Sequence, residues 1–186
     1  MLIRATLPLL MEHGLKVTTR QIAESAGVAE GTIFRVFPDK DSLVRAAMAE
    51  VLNPEPTLAD LRAVDMSLPL RVRTLQVTSI MRVRLIRVFT LMLAFRAHGA
   101  DDQLEPHRQA AKGANDLVLA EVVRVLEPDA GQLRWPVLEV ARVLRLLVFS
   151  GSHPLITEGN LLAADEITEV ILDGLLCREP EPTTGE

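Results

Sequence analysis

Tyrosine is absent from the 186-residue chain, aromatic residues make up only 3% of it, and cysteine occurs once, at Cys177. A single thiol excludes an internal disulfide framework and any cysteine-rich zinc site, and leaves buried packing as the ordinary use of Cys177. Few aromatics beside a 48% hydrophobic content built on Leu, Val and Ala favour helices over sheets. No alternating apolar and polar run is long enough to argue for a sheet, and no internal repeat is present. The strongest apolar stretch, Leu85 to Phe95, is interrupted by Arg87 and flanked by Arg82, Arg84 and Arg96, which is too short and too charged to cross a bilayer. The first residues lack a basic segment followed by an apolar run and a small-residue cleavage site. The expectation is a cytoplasmic protein with no membrane partner. A net charge of −5 is unpromising for a polyanion binder if spread evenly, so its distribution matters more than its sum.

Four punctuated stretches divide the chain: Asn53-Pro54-Glu55-Pro56, His98 to Pro106, Glu127 to Pro136, and Ser150 to Pro154. Several short helices fill the first 50 or so residues and longer ones the rest, which predicts an all-α protein. The expected organisation is a small helical domain over 1–52, a larger helical bundle over 53–177, and a disordered tail over 178–186, where acidic residues alternate with proline. Pro8 falls inside the presumed first helix, where it removes the hydrogen bond to the Arg4 carbonyl, so a kink or a late helix start is expected.

The informative spacing begins at Thr18-Thr19-Arg20-Gln21. Thr18 can cap the first free amides of a helix while Gln21, three residues on, reaches back to form a capping box. Gly27 then supplies the left-handed conformation that stops the helix, Val28 drops into the core, and Ala29 to Arg35 starts a second short helix. A small Ala23 for close crossing, Gly27 at the turn and Ile33 to bury the second helix suit a helix-turn-helix, which presents the outer side of its second helix to the major groove. Glu30, Gly31, Thr32, Phe34 and Arg35 are the exposed candidates.

Taken together, Ile22-Ala23, Ala26-Gly27-Val28, Gly31-Thr32-Ile33-Phe34, Phe37-Pro38 and Lys40 resemble the TetR family of transcriptional regulators, and Leu2 to Gly14 resembles that family's first helix. The resemblance implies a three-helix DNA-binding head, double-stranded DNA with a palindromic operator as partner, a homodimer, a small-molecule effector and repression, with no cofactor. It further implies that Thr18, Thr19 and Arg20 approach phosphates, that Ala29, Glu30, Gly31, Thr32, Phe34 and Arg35 face the groove, with Gly31 allowing close approach, and that Lys40 holds the DNA backbone. On that view Thr32→Ala weakens discrimination, whereas Lys40→Ala weakens binding to all sequences alike. The sequence departs from the pattern at Phe34, which stands where the family usually has Tyr, at Val36, and at Ala29, which replaces a common Ser and removes a cap or phosphate donor. Through Glu50, Arg4, Lys16, Arg20, Arg35, Lys40 and Arg45 balance Glu12, Glu24, Glu30, Asp39, Asp41 and Glu50, so the head is neutral and a modest salt dependence is expected.

From Leu70 to Phe95 apolar residues occur at almost every helical angle, which describes a helix, or two with a break, enclosed on all sides. Arg71, Arg82 and Arg96 share one face and Arg73, Arg84 and Arg87 roughly the opposite one, with no acidic residue between Asp65 and Asp101. Pairing with acids from neighbouring helices is the ordinary use of such arginines. The sharper one is an anionic effector site, for which Arg84, Arg87, Phe89 and Phe95 are the candidates. His98, Asp101, Asp102, Glu105 and His107 are metal-capable, but without a helical His pair at four-residue spacing they are not assigned as a metal site. Two further apolar helices, Val137 to Phe149 and Ile167 to Leu176, carry more apolar surface than one side needs. The resemblance implies that they build the dimer interface, with Leu138, Ala141, Leu144, Leu147, Val148, Ile167, Ile171 and Leu175 as candidates. No nucleophile elbow, phosphate loop, catalytic carboxylate pair or zinc motif argues for an enzyme, so no catalytic residue is assigned. The alternatives are a helix-turn-helix adaptor acting through protein contacts, or an enzyme using the larger domain.

Overall fold

A computed structural model of the chain describes residues 1–97 and 105–175, and all the regular structure among them is helical apart from 3₁₀ turns. Helices α1 (Leu2–His13), α2 (Thr19–Ala26), α3 (Glu30–Val36), α4 (Lys40–Leu52) and α5 (Glu55–Arg62) precede the long helices α6 (Leu70–Ala97) and α7 (Glu105–Leu126), followed by α8 (Val137–Gly151) and α9 (Ala164–Leu175). His98, Asp101, Asp102, Cys177 and the tail 178–186 lie outside the described residues. The chain forms two compact units, one made of Met1–Pro56 with Arg84–Asp116, the other of Thr57–Val83 with Leu117 onward.

In the first unit, α1 buries Leu2, Thr6 and Leu10, the four-residue stripe of a helix lying on a core. The buried Thr6 hydroxyl donates to the Leu2 carbonyl at 2.9 Å, so that hydroxyl is not left unpaired. That stripe joins Val17, Ile22, Ala23, Ile33, Leu43, Val44, Ala47 and Met48, and the same cluster takes in Leu91 and Phe95 of α6. The late start expected from Pro8 is not seen: α1 begins at Leu2 and runs through Pro8. Pro8 and Arg4 both lie on its exposed side, where water can stand in for the missing N–H.

In the second unit, Leu58, Leu61, Val77, Met81, Val122, Val125, Leu126, Val140, Leu144, Val148 and Ile167 are buried. Its arginines are engaged largely in the ordinary way. Arg73, only 2% exposed, pairs with Asp129 and also donates to the Met66 carbonyl, while Arg71 pairs with Asp173. Arg82 Nε instead donates to the Leu162 carbonyl at 2.6 Å. Helix α6 is continuous, but it is not enclosed on all sides within the chain, since Val72 and Val83 are exposed. An apolar residue at a given helical angle is compatible with an open face, because much of any folded surface is apolar. Among the described residues no helix is long and apolar enough to cross a membrane, and no three metal-capable side chains converge.

Candidate nucleic-acid interface

Helix α2 starts as the spacing predicts. Thr18 Oγ1 accepts from the Gln21 amide at 3.2 Å, and Gln21 Oε1 accepts from the Thr18 amide at 2.8 Å. The Thr18 hydroxyl also donates to Gln21 Oε1 at 2.9 Å, so its donor and an acceptor site are used within the chain. Gly27 closes the helix at φ 67° and ψ 33°, and the Val28 amide reaches back to the Ala23 carbonyl at 3.0 Å. This left-handed turn carries almost no steric cost only in a glycine. It directs the chain into α3, which opens at Ala29 with no side-chain cap.

Of the seven residues in α3 only Ile33 is buried. Thr32 is half-buried, and Glu30, Gly31, Phe34, Arg35 and Val36 are exposed, Phe34 at 52% and Val36 at 62%. Two large apolar side chains on so short a helix are a poor solution for a surface that meets only water. Gly31 has no atom within 4 Å of where a Cβ would stand, and its φ is not in the left-handed range. Neither the packing nor the backbone of this chain therefore calls for glycine, which costs a helix interior about 0.5–1 kcal/mol relative to Ala.

Charge on this surface is partly committed. The Thr19 hydroxyl donates to Glu30 Oε1, which brings the start of α2 to the start of α3. Arg20 pairs with Glu24 at 3.0 Å with both side chains exposed, an arrangement worth little in water and easily exchanged for a phosphate. Arg35 has no hydrogen-bond or ion-pair partner among the described residues. Thr19, Arg20, Glu30, Gly31, Thr32, Phe34 and Arg35 thus lie on the two helices of one helix-turn-helix, and Thr18 and Ala29 at the N-terminal caps of those helices. Lys40 points back into the head, where its Nζ donates to the Leu15 and Val17 carbonyls at 2.9 and 3.2 Å, at the end of the 3₁₀ turn Gly14–Lys16. Two of its three donors are occupied there, so the ammonium expected on the DNA backbone first fastens the turn ahead of α2.

Asp39 was not among the sequence candidates, yet it caps α4 by accepting from the Ser42 amide at 2.7 Å. Hydrogen bonds from Ser42 hold its carboxyl below the usual carboxylate range. An Asp followed by an acid in the first helical turn, just after Pro38, is a start signal that the sequence carried. Val36, noted in the sequence as a departure from the family pattern but not as a site candidate, is exposed beside Phe34 and Arg35.

The four effector candidates have different surroundings among the described residues. Phe95 is fully buried in the core of the first unit, Phe89 is buried, and Arg87 is exposed. Arg84 donates to the Asn53 and Leu52 carbonyls at 2.9 and 3.3 Å, where it caps the end of α4, and burial lowers its pKa from the ordinary guanidinium value. The dimer candidates also divide. Ala141, Leu144, Val148, Ile167 and Ile171 are buried within the single chain, because the inner stripes of α8 and α9 already cover one another; Leu147 is half-buried and Leu138 exposed, while the side chain of Leu175 lies outside the described set. The surface left uncovered carries Leu146, Phe149 and Val170 beside Trp135, with a groove of about 550 Å³ bounded by Trp135, Leu146, Val170 and Gly174.

A short helix held against its predecessor by a glycine turn, exposing an apolar and singly basic face, is a helix-turn-helix. Residues 2–47 match the model of the bacterial regulatory proteins of the tetR family. The matched part takes in α1 to α3 and the first half of α4, the helix-turn-helix portion of the chain. No curated protein matches it by sequence. Its fold is similar to a transcriptional regulator from Rhodococcus sp. Rha1, at 21% identity over 94% of this chain and 95% of that one, with a TM-score of 0.61. It is also similar to a transcriptional regulator from Saccharomonospora viridis in complex with choline, at 16% identity over 95% and 96% of the two chains, TM-score 0.65. The superantigen PfiT shares the fold at 21% identity over 96% and 95%, TM-score 0.63.

Proposed function

We propose that the chain acts in the cytoplasm as a homodimeric repressor on a palindromic double-stranded operator, from which a small-molecule effector releases it. The observation that carries the DNA side of this reading is Gly31: a glycine that its own chain does not need, exposed in the first turn of α3, is explained by a body that must come close from outside. Phe34, Val36 and Arg35 around it supply apolar contact and one uncommitted positive charge. Residues 1–52 are the reading head and 53–177 the effector-binding and dimerisation part.

Support for the dimer comes from the uncovered apolar surface of Leu146, Phe149 and Val170 beside Trp135. An isologous pairing covers the same patch on both copies, and it sets two heads on half-sites about 34 Å apart. Support for an effector comes from three buried polar atoms that find no partner among the described residues, Arg73 Nε, Arg145 Nε and Ser152 Oγ, all in the second unit; buried donors of this kind normally find a partner in protein, water or ligand. The Saccharomonospora viridis neighbour holds choline. An effector that favours a dimer whose heads no longer fit the half-sites lowers operator affinity, and operator binding lowers effector affinity by the same factor.

The test is a footprint of the purified chain on the intergenic DNA beside its gene, repeated with candidate metabolites. The expected result is a palindromic protected site released by one compound. Absence of any protected site, or protection by a chain that stays monomeric, contradicts the reading.

A further inference from the structure

We infer that Glu30 is a specificity-determining residue that selects a C·G base pair in each operator half-site, with Thr19 as its positioning residue. The inference rests on the DNA-binding reading above and deepens it. Glu30 is exposed on α3 next to Gly31, and its Oε1 accepts from the Thr19 hydroxyl across the turn. That bond joins residues eleven apart in sequence and ties the carboxylate to the start of α2. Oε2 takes no hydrogen bond from the described residues. A carboxylate fixed by one oxygen and open at the other offers lone pairs only. In the major groove cytosine presents an amino donor at N4, whereas guanine presents acceptors at N7 and O6 and thymine one at O4. Adenine pairs its amino donor with an N7 acceptor that a carboxylate faces unfavourably.

The sign of the charge strengthens the case. An acid facing a groove walled by phosphates is repelled by them, so Glu30 lowers affinity for DNA in general and earns its place only through what it rejects. Its neighbours act differently: Phe34 and Val36 offer apolar contact suited to a thymine methyl, and the unpartnered Arg35 suits guanine or a phosphate. A residue that merely strapped α2 to α3 would do so equally well with either charge state, and would leave base preference alone.

The experiment is selection of the full-length protein against a randomised duplex library, with wild type, Glu30→Gln, Glu30→Ala and Thr19→Val in parallel and thermal melts as the folding control. Wild type is expected to enrich a palindrome with C·G at one fixed position of each half-site, by about tenfold over the other pairs. Glu30→Gln, whose amide both donates and accepts, moves that position to A·T. Glu30→Ala accepts all four pairs there and binds random duplex more tightly at low salt. Thr19→Val broadens the preference without moving it to A·T. If Glu30→Gln and Glu30→Ala enrich the same base as wild type at every position, Glu30 is a strap and the inference is wrong. If wild type enriches no sequence at all, the DNA-binding reading fails first.

Discussion

Helix α3 buries one of its seven residues, Ile33, whereas α8 buries six of its fifteen and still shows Leu138, Leu146 and Phe149 outside. One is a tool held at a single point, the other a structural member with apolar surface to spare. The difference teaches that exposure has two meanings in this protein. On α8 it leaves apolar side chains uncovered by the described residues, the face that the proposed dimer would bury. On α3 it accompanies an open glycine, an arginine without a partner among the described residues and a carboxylate held by Thr19, the mixture that the proposed function assigns to base edges and phosphates.

The contrast is broken most forcefully in the larger unit. Removing the carboxylate in Asp129→Ala strands the buried Arg73 and is expected to destabilise by about 3 kcal/mol, seen as a large fall in melting temperature. A melt like wild type would mean that Arg73 finds another partner. Within the head, Lys40→Ala uncovers the Leu15 and Val17 carbonyls and is expected to cost about 2 kcal/mol of stability, in addition to any loss of DNA binding. If stability holds and only DNA binding falls, the phosphate role expected from the family resemblance is the whole of its function.

How much of this was legible beforehand follows the same division. The capping box at Thr18 and Gln21, the Gly27 turn and the burial of Ile33 were readable because each is fixed by residues within a few positions of one another. The inner and outer faces of α8 and α9 were not. Both helices are apolar on more than one side, so neither their surplus apolar surface nor the family resemblance separated Ala141, Leu144, Val148, Ile167 and Ile171, which the chain buries itself, from Leu138, Leu146 and Phe149, which it leaves exposed. For the arginines of α6 the ordinary use, pairing with acids of other helices, was foreseen and holds for Arg71 and Arg73, but the individual partners, Asp173 and Asp129 and the carbonyls of Leu52, Asn53 and Leu162, are distant in sequence and were not legible. The bond from Thr19 to Glu30 crosses the turn, and no local pattern announces it.

Smaller effects sharpen the reading of α3. Arg35→Ala should leave stability within about 0.5 kcal/mol of wild type, yet weaken DNA binding and reduce its salt slope by about one if Arg35 meets a phosphate. An unchanged slope with altered base preference would move Arg35 to the bases. The smallest effect concerns pH. The Asp39 pKa is depressed by its bonds from Ser42, so its contribution is present above the unfolded-state pKa and is lost as pH falls through the folded-state value. Asp39→Asn, which caps without titrating, should flatten the acid side of the head's stability profile. Identical profiles for both proteins would show that the cap carries no pH dependence.

The central claim is that Gly31 serves the partner and not the chain. The direct measurement is Gly31→Leu, with melting temperature and affinity for the footprinted site determined on the same preparation. The space around Gly31 is open and leucine is the better helix former, so the melting temperature should hold or rise while DNA affinity falls by tenfold or more, roughly what one lost close contact costs. Unchanged affinity, or a loss of affinity that tracks a loss of stability, would contradict the account.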